Sequence, residues 1–208
     1  MNQGGGRCFV HRFAPATRPA LPLLLLLHGT GGDETELLAL AASVLPGAAI
    51  LAPRGQVEEN GALRFFRRFA DGTLDEVDVA RRADHLAGFL AAARTRHRLP
   101  PPIVLGFSNG ANTAAAMLLR HPGIFAGAVL LRAVPPLRQA AAVAQAGVPV
   151  LLVAGADDPI APPAQGQALA ELLRSAEAVV RMHVLDCGHA LTAADGTVAR
   201  EWLEQLLR

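Results

Sequence analysis

At 208 residues and 21.7 kDa the chain is long enough to bury a sizeable core without disulfides or metals, and it is read as one domain over residues 1–208. With 19 basic against 18 acidic side chains and a formal charge of +1, it has no global field to draw nucleic acid or an anionic membrane. Two cysteines are too few for a disulfide framework, and the longest apolar run, at 21–27, is broken by Pro22 and too short to span a bilayer, so no membrane insertion is expected.

Residues 1–6, with three glycines, are read as a mobile start lacking the pattern of a signal peptide, and the expected location is the cytoplasm. Residues 7–13 alternate loosely and read as an edge strand closed by Pro15 and Pro19, and 23–27 form a continuous apolar strand of the kind buried on both faces of a parallel sheet. His28-Gly29-Thr30-Gly31-Gly32-Asp33-Glu34 follows at that strand's C-terminal end, where α/β sheets bind ligands. A helix is expected from about Asp33 to Ser43, its start adding oriented N–H groups. Such a turn can supply half of an oxyanion hole, with the Thr30 N–H as one donor. The plain alternative is a tight strand-to-helix connection, and a nucleotide site is disfavoured because no Gly-Lys-Ser/Thr follows. His28 is expected to brace this loop through hydrogen bonds rather than point into a site.

A strand over 48–52 leads to Pro53-Arg54-Gly55, after which the chain reads as irregular up to Thr73. Loops of that length are often functional, so Phe65, Phe66 and Phe69 are candidates for the wall of an apolar pocket; burial as core is an equal alternative, and Arg67 and Arg68 read as a solvated face. Helical spacing of Val79, Ala83, Leu86 and Leu90 predicts a helix over 75–96, which Pro100-Pro101-Pro102 ends.

The apolar strand Ile103-Val104-Leu105 then runs into Gly106-Phe107-Ser108-Asn109-Gly110 and a helix from Ala111 to about Arg120. Gly-x-Ser-x-Gly between strand and helix reads as a nucleophile elbow, a turn so sharp that glycine is needed on both sides of the serine. Ser108 stands at its tip, and the Asn109 N–H is the second oxyanion donor. Further strands are predicted over 126–131, 148–154 and 178–185, and helices over 137–145, 164–175 and 192–208, with Trp202 in the core. Strands alternating with helices argue a mostly parallel sheet covered on both faces.

A serine needs a base and an acid. His189 lies in a loop at the end of the last strand, at the sheet edge that holds the elbow; His11, His85, His97, His121 and His183 lie in elements without a motif. The turn after the strand over 148–154 carries Asp157 and Asp158. Neighbouring side chains point in opposite directions there, and Pro159 stiffens the residue before it, so Asp158 is the expected acid and Asp157 the expected cap of the following turn. Ser, Asp, His is the chain order of an α/β-hydrolase. Cys187 reads as a bystander.

Taken together, His28 to Glu34, Gly106-Phe107-Ser108-Asn109-Gly110-Ala111-Asn112, Asp158-Pro159-Ile160 and Gly188-His189 resemble the phospholipase/carboxylesterase family of small serine hydrolases. The Phe65-Phe66-Arg67-Arg68 segment is similar to the bacterial branch of methylhydroquinone-associated esterases. The resemblance implies an α/β-hydrolase fold without a cap domain, a small-molecule ester substrate, and no metal or cofactor. It carries over Ser108 as nucleophile, Asp158 as acid, His189 as base and the Thr30 and Asn109 amides as oxyanion hole, with cleavage of short-chain or aryl carboxylic esters expected. Rivals are a non-catalytic binding protein on the same fold, a thioesterase or lysophospholipase, and a dienelactone-type hydrolase, which would more naturally carry Cys in the elbow. A homodimer is left open.

Overall fold

Period-two alternation along the strands builds two cores at once. The computed structural model describes residues 9–138, 145 and 147–208. Leu24, Leu26, Ile103, Leu105, Val129, Leu131, Leu151 and Val153 face one side, and Leu25, Leu27, Val104, Leu130, Val150 and Leu152 face the other. Strands with both sets buried can lie only in the middle of a sheet covered by helices on each face.

Among the described residues, β1 (His11–Ala14), β2 (Leu24–Leu27), β3 (Ile50–Pro53), β6 (Ile103–Phe107), β7 (Gly127–Leu131), β8 (Pro149–Gly155) and β9 (Val179–Leu185) form one seven-stranded sheet, ordered β1-β3-β2-β6-β7-β8-β9. β1 runs antiparallel to β3 and the other pairs are parallel. Helices α1 (Leu38–Val44) and α5 (Ala193–Leu206) cover one face, where Trp202 is buried as expected; α2 (Glu76–His97), α3 (Asn109–Arg120) and α4 (Pro163–Ser175) cover the other. Asp75 caps α2 by accepting from the Asp78 N–H, and Val79, Ala83, Leu86 and Leu90 are its buried stripe. No helix among the described residues is long and apolar enough to cross a membrane.

Two expectations about local structure are corrected. Residues 55–73 are not irregular throughout: β4 (Val57–Glu59) and β5 (Ala62–Arg64) form a hairpin whose turn, Asn60 and Gly61, has φ of 52° and 80°. That pair of left-handed residues suits the right-handed twist of the strands, and Asn-Gly is the dipeptide that adopts it at least cost. The helix expected from Asp33 begins instead at Leu38. Asp33 Oδ1 takes both the Thr35 N–H and the Thr35 hydroxyl, while Glu36 N–H and Leu38 N–H go to the carbonyls three residues back, Asp33 O and Thr35 O, so this stretch closes as turns before the α-helix starts. The mobile start expected at 1–6, and most of the helical piece expected over 137–145, lie outside the described residues.

Candidate active site

Parallel register places the C-terminal strand ends side by side. Leu27 pairs with Gly106, Phe107 with Leu131, Leu131 with Val153 and Gly155 with Leu185. Consequently the residues that follow, His28, Ser108, Arg132, the turn holding Asp158 and the loop holding His189, all emerge at one edge. Ser108 N–H donates to Leu131 O at 2.9 Å, and Arg132 N–H to Val153 O at 2.8 Å.

Ser108 adopts φ 49°, ψ −114°, a conformation that strains any residue with a Cβ, and it opens α3 without a side-chain capping bond. A Cβ on Gly110 would lie 2.1 Å from Leu27 O, so the elbow can approach β2 only with hydrogen at that position. The hydroxyl Oγ lies 2.9 Å from His189 Nε2, and His189 Nδ1 lies 2.7 Å from Asp158 Oδ2. A carboxylate only accepts, so Nδ1 carries the proton and Nε2 is free to accept from the Ser108 hydroxyl.

Asp158 is buried, Asp157 exposed. Burial by itself would raise the Asp158 pKa; the Ala161 N–H, His189 and the Ile160 N–H together outweigh it and hold the carboxyl below its ordinary range. The expectation that Asp157 caps the following turn is therefore corrected. Asp158 does so itself, with Oδ1 accepting from Ile160 N–H at 2.8 Å and Ala161 N–H at 2.9 Å while Oδ2 faces the imidazole. One buried side chain can serve both because its two oxygens point to opposite partners.

The Thr30 and Asn109 backbone N–H groups have no acceptor among the described residues, as donors reserved for a ligand require. Their surroundings are tied down closely. Glu36 Oε2 accepts from Gly29 N–H at 2.7 Å, and His28 braces the loop: its Nε2 accepts from Gly55 N–H at 2.9 Å while Nδ1 donates to Gly29 O at 2.7 Å. Burial depresses the His28 pKa, keeping the ring in the neutral form these two bonds demand. Three consecutive residues then stitch the hairpin to both donors: Leu63 O accepts from Gly31 N–H, Arg64 Nη1 donates to Thr30 Oγ1 at 3.0 Å, and Phe65 N–H donates to Asn109 Oδ1 at 2.7 Å.

A cleft of about 880 Å³ opens over Ser108 and His189, within the range of small-molecule sites. The phenylalanines do not wall it: Phe65 and Phe66 are buried in the α2–α3 core, and Phe69 is 56% exposed outside the lining. The residues around them instead contribute Arg64, Arg68 and Leu74 to a lining that also holds Ile160 and Pro162. Of the other histidines, His97 stacks on Phe13, His121 bonds to Asp84, and His11 meets Phe89 edge-on, all away from the cleft.

No sequence motif marks Arg132. Its side chain is fully buried and pairs with the equally buried Asp195 through two bonds, at 2.7 Å and 3.0 Å. The remaining N–H groups go to Val153 O, Gly188 O, Ala190 O and Cys187 Sγ, so one guanidinium grips the chain on both sides of His189. Asp195 also closes a capping box with Thr192 at the start of α5. Thr-x-x-Asp was readable as a helix start; the long-range partner was not.

A family model described as Phospholipase/Carboxylesterase matches residues 11–206. The putative hydrolase MhqD of Bacillus subtilis (strain 168) is 38% identical over 187 residues, covering 89% of this chain and 94% of that protein. Among solved structures, the Bacillus cereus carboxylesterase superposes with a TM-score of 0.93 at 40% identity, covering 96% of this chain and 95% of that one. The carboxylesterase from Mesorhizobium loti gives 0.90 at 34% identity, covering 95% of each.

Proposed function

Since the chain belongs to the phospholipase/carboxylesterase family, we propose that it is a serine hydrolase that cleaves short-chain or aryl carboxylic esters through an acyl-enzyme. The observation that carries this reading is the unbroken relay from Ser108 Oγ through His189 to Asp158, at 2.9 Å and 2.7 Å, beside two unengaged amides.

His189 Nε2 takes the proton as Ser108 Oγ attacks the ester carbonyl. The carbonyl oxygen, now negative, moves between the Thr30 and Asn109 N–H groups, which are held in place before the reaction and so lose little by reorganising. Collapse of the tetrahedral intermediate returns the proton from Nε2 to the departing alcohol, leaving Ser108 acylated. Water enters along the same path, gives its proton to Nε2, and releases the acid and the free hydroxyl. Asp158 keeps Nδ1 protonated and stabilises the imidazolium that forms twice per cycle.

A fluorophosphonate probe tests the nucleophile, because only an activated hydroxyl attacks phosphorus quickly. Wild type should be labelled and Ser108→Ala should not; equal labelling of both would move the nucleophile elsewhere. With p-nitrophenyl esters of rising acyl length, kcat/KM should fall beyond short chains, and a steady rise with length would overturn the short-chain preference.

A further inference from the structure

The cleft wall carries a pair of cations that the Ser108–His189–Asp158 relay does not use. Arg64 leaves β5 with its side chain 3% exposed, donating Nε to Phe66 O and Nη1 to Thr30 Oγ1, with Glu59 Oε2 3.3 Å from Nε. Its Nη2 finds no acceptor among the described residues and stays open to the cleft. Arg68 lies on the same wall; its backbone N–H donates to Glu59 Oε1, while its exposed guanidinium meets no carboxylate among the described residues.

The other lining charges are matched. Arg132 is neutralised by Asp195, Arg138 stands 3.5 Å from Glu76, and Arg64 has Glu59. Arg68 is left over. Burial first, then repulsion by the charge of Arg68, depresses the Arg64 pKa, and Glu59 spans the two residues, its Oε2 3.3 Å from Arg64 Nε and its Oε1 accepting from the Arg68 N–H. A planar anion accepting from Arg64 Nη2 and from the fork of Arg68 would relieve that repulsion and complete the donor set. Overall charge is no guide here, since the whole chain carries only +1.

We propose that Arg64 and Arg68 form a carboxylate subsite, so that the preferred substrates are esters bearing a second, ionised carboxyl group on the acyl or alcohol side. This rests on the ester-hydrolase reading of Ser108. Hydrolysis of such a half-ester consumes one water and releases an alcohol and a product carrying the extra carboxylate, with no further reactant.

The test uses two matched pairs followed by pH-stat: methyl hydrogen adipate against methyl hexanoate for the acyl side, and 4-acetoxybenzoate against p-tolyl acetate for the alcohol side. The readout is the ratio of kcat/KM within a pair, compared across wild type, Arg68→Ala, Arg68→Lys and Arg68→Glu; intrinsic reactivity differences cancel between variants. In at least one pair the ratio should fall about tenfold in Arg68→Ala, the scale of one charge-assisted bond, fall further in Arg68→Glu, and be partly kept in Arg68→Lys. The pair that moves identifies the side of the ester. Ratios unmoved by Arg68→Glu in both pairs overturn the subsite. If wild type cleaves none of the four esters and takes no fluorophosphonate, the hydrolase reading falls separately. The subsite is then read by calorimetric titration with adipate: weaker binding to Arg68→Glu than to wild type upholds it, and no binding to wild type ends it.

Discussion

Asp158 is the residue where position and chemistry are hardest to separate. One oxygen closes the turn and the other faces His189, so the two substitutions at 157 and 158 should behave very differently. In Asp158→Asn the remaining oxygen can keep the Ile160 and Ala161 N–H groups, which turns the amide NH₂ toward His189 Nδ1 and makes that nitrogen an acceptor. Nε2 is then protonated and cannot take the Ser108 proton. We expect kcat to fall on the order of 10⁴-fold with the melting temperature little changed, the size of loss seen when a triad acid becomes its amide. Asp157 is exposed, and Asp157→Asn should keep most activity. Kinetics and thermal melts on the two purified variants decide it; a dead Asp157→Asn beside an active Asp158→Asn would reverse the assignment.

At the scale of elements, the site depends on pieces that no motif marks. The β4–β5 hairpin and the residue that follows it contact Thr30 and Asn109, and Arg132 holds the loop of His189 from both sides. Arg132→Met leaves Asp195 buried without its partner, a change that costs about 3–5 kcal/mol, and lets the imidazole drift from Ser108. The expected outcome is a lower melting temperature together with a lower kcat and slower fluorophosphonate labelling at nearly constant KM, measured well below the melt. Labelling at the wild-type rate in folded Arg132→Met would reduce Arg132 to a stability role. The contrast explains what was legible beforehand. Strands buried on two faces, the long stripe of α2 and the elbow all announce themselves through period or spacing. The order Ser, Asp, His could likewise be read from the chain. The start of α1 differs from the expected one because Asp33 and Thr35 close a side-chain turn that competes with helix, and the hairpin turn Asn60-Gly61 joins strands of three residues each, too short to show a period. Phe66 was read both as pocket and as core, since an apolar side chain carries no mark of which one it fills; the structure puts it at 0% exposure. Arg132 and Asp195 lie 63 positions apart, and nothing local links them.

For the whole molecule, pH acts through groups of both kinds that fold in one charge state. His28 must stay neutral, and its pKa lies below the ordinary 6.5; the unfolded chain therefore takes up a proton first as pH falls through 6.5, and native stability declines from there. Asp78, Asp84 and Asp158 are held below 3.8, with Asp78 surrounded by Arg67, Arg81 and Arg82, so their contributions are complete above 3.8 and are lost only as pH falls through the folded values. Melting temperature against pH should therefore be flat above about 7, slope gently down from about 6.5 and drop steeply below about 4. His28→Gln should remove the gentle slope and leave the steep one. Parallel curves for wild type and variant between pH 7 and pH 5 would show that His28 is not the linked group.

The left-handed backbone at Ser108 has a practical corollary for anyone handling the protein. Glycine fits φ 49°, ψ −114° without strain, and because the serine makes no capping bond nothing is forfeited at the start of α3. Ser108→Gly should be inert toward esters yet melt higher than wild type, by the equivalent of about 1 kcal/mol. A screen that ranks variants by heat resistance alone would thus favour a dead protein, and thermal tolerance and turnover have to be selected together. Should Ser108→Gly melt no higher than Ser108→Ala, which lacks the same Oγ–His189 bond but keeps a Cβ, the elbow stores no strain that the rest of the fold must hold.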